Sequence, residues 1–320
     1  MMSSLPSLSR RTFLSGGVSL IAEVVFANSR IQDDELKASV SGAAFRQAGS
    51  SAKISTKTLR ENISIVSGSG GNILLCHGPD GNATVDSGLA TSRRQVSAAI
   101  HEVSPRPLRH LLNTHWHFDH TDGNLWMHSV GATIVAHRNT RARMSSRQVI
   151  PAFSLILNSS PQGALPTLIF DQRQELRLNG QKIAMERYTP AHTDSDVSVF
   201  FEEVNVIHTG DTWFNGYYPF IDYDSGGSIR GLIAASNENL GRTDAQTMVV
   251  PGHGLVGSRA DLLNFHEMLQ TVFDRVELLK ARGYSLGDVI SAKPSSRYDA
   301  ALGGGFVGPA LFCELLYRGA

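Results

Sequence analysis

A layered α/β sandwich within one domain is the fold class that the sequence predicts. Short β-rich runs alternate with amphipathic helical runs in both halves of the chain, and Gly or Pro separates many of them. Elements that alternate in this way pack with helices outside and sheets inside. The 320 residues are enough to bury a large core. The 29 basic and 29 acidic side chains balance, so no basic surface favours a nucleic-acid partner.

The first half of the chain has the clearest β pattern. Two turns, Gly68-Ser69-Gly70 and Pro79-Asp80-Gly81, separate three short apolar runs as in hairpins. We expect strands at residues 62–66, 71–76, 82–86, 108–112 and 132–136, and helices at residues 91–103, 122–130 and 139–146.

The second half repeats the alternation after an irregular stretch. Residues 150–168 carry three prolines and no clear period, which fits either a lid near the substrate or an ordinary surface excursion. Short helical stretches follow in residues 284–318. We expect strands at residues 174–178, 182–189, 196–201, 205–208 and 247–250, and helices at residues 229–239 and 259–282.

The N-terminus carries an export pattern. Ser9-Arg10-Arg11-Thr12-Phe13-Leu14 matches a twin-arginine signal, and a modestly apolar run at residues 16–27 follows it. That run is too short and interrupted to predict a membrane span. We expect residues 1–27 to be a cleaved signal peptide read by the twin-arginine export machinery, residues 28–58 a polar linker and residues 59–320 the folded domain. The mature protein is then periplasmic or secreted, without a stable membrane anchor.

Cys76 and Cys313 are the two cysteines of the chain. An oxidising compartment permits a disulfide between them. Both lie in apolar runs, which favours two separate buried thiols.

Residues 115–120 read His-Trp-His-Phe-Asp-His and directly follow an expected strand. Neutral imidazole is the commonest metal-ligating side chain. His115 and His117 are two residues apart, so in an extended segment both point to one side. Asp119 and His120 follow where the chain turns. A His-rich surface loop is the alternative interpretation.

Three later residues occur in a similar setting. His192, Asp211 and His253 each lie just beyond an expected strand and close to Gly or Pro. Each alone is a weak signal, but loops at one sheet edge would bring all three to the histidine run. The combined set predicts a metal site.

In order, these motifs resemble the metallo-β-lactamase-fold hydrolase superfamily from about residue 62 to residue 257. The resemblance implies a four-layer αββα sandwich with metals at the shared sheet edge and a helical C-terminal extension from about residue 258. The tail resembles that of exported, poorly characterised members. The matching motifs are Val85-Asp86-Ser87-Gly88, the run at residues 115–120, His192, Gly210-Asp211-Thr212 and Gly252-His253-Gly254.

Carried over to this chain, the resemblance implies two divalent metal ions. Zn²⁺ suits the ligand set best, and Fe or Mn also accept such ligands. His115, His117 and His192 would hold the first ion, and Asp119, His120 and His253 would hold the second, with Asp211 bridging both. A bridging hydroxide would then attack an ester, lactone, amide or related bond.

Further roles are expected around these ligands. Asp119 is the candidate catalytic base. Asp86 and Thr114 could fix the geometry of the ligands, although Asp86 could instead cap a turn. His208 fits a core position better than a role beside the ligands.

The small-molecule substrate is the least defined part of the prediction. Asp211 differs from the Cys that some antibiotic-hydrolysing members carry at this position. Hydrolysis of β-lactams stays an alternative, as does iron-dependent redox chemistry. Trp213, Tyr217 and Tyr218 follow Asp211 closely and could line an apolar substrate cleft, with either tyrosine donating a hydrogen bond to an oxyanion. Phe214 and Phe220 fit packing better.

Overall fold

The computed structural model of the protein describes residue 47 and residues 49–320. The expected signal peptide and much of the expected linker lie outside the described residues, so both stay predictions. Strand β1, Ser55–Arg60, begins within the segment expected to be linker. Its side chains are mostly exposed and give no apolar pattern, and pairing with β2, Ile63–Ser67, holds it in the sheet.

The first sheet has seven strands in the order β1-β2-β3-β4-β5-β6-β9. Strands β1 to β4 pair as antiparallel neighbours, whereas β4, β5, β6 and β9 run parallel. The carboxyl ends of these parallel strands therefore meet at one edge of the sheet. The bounds of the later strands are Ile73–Cys76 (β3), Asn82–Val85 (β4), Leu108–Leu112 (β5), Thr133–His137 (β6) and Leu168–Phe170 (β9).

The second sheet has five strands in the order β10-β11-β12-β13-β15. Its first four strands form an antiparallel meander, and β13 and β15 are parallel. Two small two-stranded sheets, β7 with β8 and β14 with β16, accompany the large ones. The bounds are Gln148–Ile150 (β7), Leu155–Leu157 (β8), Arg173–Leu178 (β10), Gln181–Arg187 (β11), Val197–Phe201 (β12), Val206–His208 (β13), Phe214–Asn215 (β14), Met248–Val250 (β15) and His253–Gly254 (β16).

The helices follow the expected periodicity with small shifts at their ends. The longest, α6, begins at a capping box in which Ser258 and Asp261 satisfy each other's backbone donors. None of the helices among the described residues combines the length with the apolar character that a membrane span needs. The bounds are Arg93–Val103 (α1), Phe118–Thr121 (α2), Asn124–Ser129 (α3), Arg138–Met144 (α4), Ile229–Arg242 (α5), Arg259–Ala281 (α6), Leu286–Ala292 (α7), Ser296–Leu302 (α8) and Pro309–Gly319 (α9).

Alternation along the strands builds three hydrophobic layers between four structural layers. Leu74 points into a core shared with Met185 and Val199 of the second sheet. Its neighbour Ile73 points the other way, into a core with α1 and α3. The outer face of the second sheet packs against α5, α6 and the C-terminal helices. The expected four-layer αββα sandwich with a helical C-terminal extension is confirmed.

Residues 150–168 are more ordered than the sequence suggests. The β7–β8 hairpin and two 3-10 turns, Pro151–Phe153 and Gln162–Ala164, occupy most of the segment. Ile150, Leu155 and Leu165 pack into the hydrophobic core beside α5 and α6. The sequence did not predict these elements because the prolines interrupt the hydrophobic periodicity. The apolar residues between the prolines nevertheless pack into the core.

Both cysteines are buried and free. Cys76 lies in the core between the sheets, and Cys313 lies in α9.

Candidate metal centre

Seven side chains converge at the edge where the strands of both sheets end. His115 and His117 follow β5, and Asp119 and His120 lie on the short helix α2 directly after them. The later ligands come from the second sheet. His192 follows β11, Asp211 lies on a 3-10 turn after β13, and His253 lies in β16 after β15.

These side chains form two groups whose candidate ligand atoms lie within 4.8 Å of one another in each group. The first group is His115, His117, His192 and Asp211, and the second is Asp119, His120 and His253. The structure thus brings together all seven residues that the sequence predicted as ligands.

In the first group, the ring nitrogens point at one small volume. His192 Nε2 lies 2.8 Å from His117 Nδ1 and 3.5 Å from Asp211 Oδ2. His115 Nε2 lies 3.9 Å from the same Asp211 oxygen.

In the second group, His253 Nε2 lies 3.1 Å from Asp119 Oδ2 and 3.3 Å from His120 Nε2. Asp211 also faces this group, since its Oδ1 lies 3.2 Å from His120 Nε2. Its Oδ2 lies 3.5 Å from His253 Nε2. The Asp211 carboxylate therefore lies between the two groups.

Asp86 and Thr114 contact the imidazoles of His120 and His115 on the side that faces away from the centre. Asp86 is fully buried, and its Oδ2 accepts hydrogen bonds from Thr114 Oγ1 at 2.7 Å and from His120 Nδ1 at 2.7 Å. The Thr114 hydroxyl in turn lies 3.0 Å from His115 Nδ1. Asp86 has φ +62°, the left-handed conformation that Asp tolerates better than most residues. These contacts leave Nε2 of His115 and of His120 facing the centre.

Asp222 and the backbone of Phe220 orient the other two ligands of the first group, and sequence reasoning missed both. Asp222 Oδ2 accepts from His117 Nε2 at 3.0 Å, which turns Nδ1 of His117 toward the centre. The Phe220 carbonyl oxygen accepts from His192 Nδ1 at 2.8 Å. No local pattern marks a carbonyl oxygen, and Asp222 resembles any loop aspartate.

His208 is buried, in line with the preference for a core position. It still supports the site, because its Nδ1 accepts from the backbone N–H of Gly210 at 3.1 Å. Its Nε2 donates to the Asn72 carbonyl oxygen at 3.1 Å. His208 thus fixes the turn that carries Asp211.

Burial dominates the pKa values of two histidines in the first group, whereas neighbouring charges dominate the pKa values in the second group. Burial lowers the pKa of His115 well below its usual value, and burial lowers the pKa of His192 to about 4. Burial also lowers the pKa of His253, but the negative charge of Asp211 and Asp119 outweighs it and raises this pKa to about 9. Burial raises the pKa of Asp119, yet His120 and His253 outweigh it and bring this pKa to about 2. The imidazoles of His115 and His192 are therefore uncharged near neutral pH, whereas the carboxylates of the second group favour a positive charge beside them.

The donor set fits divalent cations. In the first group, the ring nitrogens that contact Thr114, Asp222 and the Phe220 carbonyl oxygen carry the proton, so the facing nitrogens hold lone pairs. Lone pairs 2.8 Å apart on His117 and His192 repel each other unless a positive charge lies beside them. His115 Nε2 is buried with no hydrogen-bond partner among the described residues. Imidazoles with a shared carboxylate suit Zn²⁺, and also Fe or Mn.

Two glycines allow this close packing. A Cβ on Gly252 would lie 1.8 Å from Asp211 Oδ1, and a Cβ on Gly71 would lie 2.2 Å from His120 Cε1. Any side chain at either position would displace a candidate ligand.

The expected substrate-binding roles of Trp213 and Tyr218 are corrected by their burial. Both side chains are fully buried. The Tyr218 hydroxyl donates to Asp299 Oδ1 at 2.7 Å and its ring stacks on Phe312 of α9. Helices α8 and α9 cover Tyr218, which the sequence could not indicate. Tyr217 is half-buried and packs beside Gly305.

Residues 66–253 match the family model of the metallo-beta-lactamase superfamily. The chain belongs to the metallo-beta-lactamase superfamily. The matched range includes all seven candidate ligands and Asp86.

Solved structures share the fold at low sequence identity. A metallo-beta-lactamase from Pontibacter korlensis is 18% identical with a TM-score of 0.56, over 68% of this chain and 99% of that chain. The DIM-1 metallo-beta-lactamase is 20% identical with a TM-score of 0.54, over 68% of this chain and 98% of that one. The stereoselective inverting sec-alkylsulfatase Pisa1 from Pseudomonas sp. is 13% identical with a TM-score of 0.62, over 93% of this chain and 54% of that one.

Members of the metallo-beta-lactamase superfamily are typically hydrolases. The two lactamase structures leave about a third of this chain unmatched, whereas the alkylsulfatase structure matches 93% of it.

Proposed function

We propose that this chain is a dinuclear metal-dependent hydrolase that cleaves an ester, lactone, amide or related bond of a small molecule. One observation carries the proposal. Four histidines have the nitrogen that faces away from the centre engaged by a protein oxygen, which leaves the other nitrogen directed toward Asp211. Metal-ligating histidines typically donate their other ring N–H to a protein oxygen in this way. A His-rich surface loop does not require such hydrogen bonds.

The ligand assignment follows from the two groups. His115 Nε2, His117 Nδ1 and His192 Nε2 would hold the first cation, and Asp119, His120 and His253 would hold the second. Asp211 would bridge them. Divalent cations held by these residues would lower the pKa of a water molecule and would polarise the oxygen of the bond to be cleaved.

Asp119 is suited to move the proton of the reaction. Its side chain is 21% exposed, whereas that of Asp211 is 4% exposed. The carboxylate accepts a proton from the attacking water while the water oxygen forms the new bond to the carbonyl carbon. The same proton then passes to the leaving oxygen or nitrogen as its bond to that carbon breaks. Water is consumed, and an acid and an alcohol or amine result.

The deciding experiment joins metal quantification on the purified chain to a panel of lactone, ester, thioester, phosphodiester, sec-alkyl sulfate and β-lactam substrates. We expect about two metal ions per chain and turnover of at least one substrate. Asp119→Asn should lower kcat by about a hundredfold or more, and the exposed control Asp171→Asn should not. A metal-free protein, or full activity in Asp119→Asn, contradicts the proposal.

His192→Ala tests the ligand assignment directly. We expect it to lose the first-site metal and nearly all activity, while His101→Ala, an exposed histidine on α1, keeps both. If metal content and turnover survive in His192→Ala, the assignment is wrong.

Two alternative reactions have their own signatures. Two solved relatives carry the name metallo-beta-lactamase, and nitrocefin turnover that Asp119→Asn abolishes would favour β-lactam hydrolysis. An iron-dependent redox enzyme would contain iron and consume oxygen. Iron with oxygen consumption and no hydrolysis would overturn the leading proposal.

We also propose that the twin-arginine machinery exports the protein to the periplasm or beyond. The support is the pattern at residues 9–14. Replacing both Arg10→Lys and Arg11→Lys should retain the protein in the cytoplasm, and Arg30→Lys should not. Periplasmic recovery of the double variant contradicts export by this route.

A further inference from the structure

Aromatic rings cover one side of the candidate metal centre. The Phe220 ring centroid lies 6.0 Å from that of His192 and 6.4 Å from that of His117. The Phe214 ring stacks on His253 with centroids 5.3 Å apart. Both phenylalanines are buried, so they form an inner aromatic layer against histidines of both groups.

Phe153 and Phe306 lie against this inner layer and are only half-buried. The Phe153 centroid lies 4.7 Å from that of Phe220 and 5.7 Å from that of Phe306. The Phe306 centroid lies 5.9 Å from that of Phe214 and 6.1 Å from that of His253. The outer pair thus extends from the first group to the second and leaves apolar surface beside the reacting atoms.

Three separate segments supply these rings. Phe153 ends the 3-10 turn between β7 and β8, Phe220 follows Asp211 in the chain, and Phe306 lies in the loop between α8 and α9. A Cβ on Gly305 would lie 2.8 Å from Tyr217 Cδ1. Tyr217 therefore packs against this loop, next to Gly305, the residue that precedes Phe306.

The rim of the centre adds another apolar group. Leu255 is 76% exposed, the highest exposure among the large exposed hydrophobic side chains. It lies two residues after His253, and its carbonyl oxygen accepts from Asn215 Nδ2 at 2.8 Å. A single exposed leucine is ordinary on a protein surface, so Leu255 by itself does not indicate a ligand.

We propose that Phe153 and Phe306, supported by Phe220, bind an apolar chain or ring of the substrate next to the bond that is cleaved. The inference rests on the proposed hydrolase function and adds a substrate class to it. Each methylene that leaves water for this surface raises kcat/KM by about two- to fourfold. The metal-loaded enzyme should therefore prefer long-chain acyl esters to acetate esters.

The test compares p-nitrophenyl acetate with p-nitrophenyl octanoate, using the full chain loaded with zinc. We expect kcat/KM for octanoate to exceed that for acetate by at least tenfold, and Phe306→Ala to lower this ratio by about tenfold. Phe306→Leu keeps an apolar side chain and should retain most of the ratio. Val130→Ala removes a 51% exposed side chain that precedes β6, at the opposite edge of the sheet, and should leave the ratio unchanged.

Calorimetric binding of octanoate and of acetate to the same proteins gives a readout independent of turnover. Octanoate should bind at least tenfold tighter than acetate, and Phe306→Ala should remove most of that difference. If no ester is hydrolysed but octanoate binds at least tenfold tighter than acetate, the result supports the apolar binding site and contradicts the proposed ester hydrolysis.

Three results would overturn the inference. The first is equal turnover and equal binding for both chain lengths in the wild-type protein. The second is a ratio that Phe306→Ala leaves unchanged. The third is self-association that Phe306→Ala abolishes without any chain-length preference, which would assign the apolar surface to a second copy of the chain.

Discussion

Asp222 accepts a hydrogen bond from Nε2 of His117 at 3.0 Å, although 105 residues separate the two in the chain. The other oxygen of Asp222 accepts from the backbone N–H of Ser225 at 3.1 Å. Burial raises the pKa of Asp222, but the hydrogen bond and charge of His117 outweigh burial and lower this pKa to about 2. A buried carboxylate in this position decides which nitrogen of His117 faces His192.

Asp222→Asn should weaken metal binding by about ten- to a hundredfold at the first site. An amide that keeps its oxygen toward Ser225 presents its NH₂ to His117 Nε2. That nitrogen must then give up its proton, which moves to Nδ1 and blocks the ligand atom. Competition with a chromophoric chelator measures the change in affinity.

Asp224→Asn is the matched control for this substitution. Asp224 lies two residues further on, is 42% exposed and forms an ion pair with Arg318. Exposed pairs of this kind contribute little to stability. We expect unchanged metal affinity in Asp224→Asn, and equal losses in both variants would refute the role given to Asp222.

Asp86→Asn should deplete the second site through His120. The Asp86 carboxylate accepts from His120 Nδ1, from Thr114 Oγ1 and from the Thr114 backbone N–H. An amide cannot accept all three hydrogen bonds, and one buried donor left unpaired costs about 1–3 kcal/mol of folding free energy. Urea unfolding and metal content per chain measure the two effects. A variant with normal stability and two bound metals would show that Asp86 is not needed to hold His120.

The residues of the two candidate metal groups could be found in the sequence because their signals are local. His115, His117, Asp119 and His120 occur within six residues, and His192, Asp211 and His253 each follow an apolar strand beside Gly or Pro. The layered α/β class follows from the alternation of strands and helices, which is also local, whereas the four-layer αββα order was implied by the resemblance of the motifs to a known family.

Residues that act through distant contacts could not be predicted. Nothing near Asp222 distinguishes it from Asp224. The orientation of Tyr218 depends on α8 and α9, which contact it from the far end of the chain. The edge strand β1 has no apolar pattern, and strands of two residues such as β14 and β16 are too short to have one.

Removal of metal should lower the thermal stability of the whole domain. The two groups of ligands join loops from both sheets, so a bound cation favours the folded state over the unfolded one. With free zinc at about a thousand times Kd, binding stabilises the fold by about 4 kcal/mol. In a domain of this size, that corresponds to a rise in Tm of about 8–16 °C.

Calorimetry with EDTA and with added zinc measures this shift. His192→Ala should show a smaller shift than the wild-type protein, and His101→Ala should show the full one. A Tm that does not respond to EDTA, in protein shown to have lost its metal, would contradict the linkage between the two sheets through the site.

Gly252→Ala should damage the centre without changing any ligand. Its Cβ would lie 1.8 Å from Asp211 Oδ1 and 2.9 Å from the Gly210 carbonyl carbon. Because Gly252 N–H also donates to the Gly210 oxygen at 2.8 Å, the two loops cannot separate without breaking that bond. Asp211 must therefore move, and overpacking of this kind costs about 1–3 kcal/mol.

Gly241→Ala in α5 is the matched control, because a Cβ there meets nothing within 4 Å. Alanine in a helix is favoured over glycine by about 1 kcal/mol, so this variant should be as stable as the wild-type protein or more so, with full metal content. Gly252→Ala should bind less metal per chain and unfold at lower urea concentration. Normal metal content in Gly252→Ala would mean that Asp211 can shift and still bridge the two sites, and the tight approach of the two loops would then have no role in metal binding.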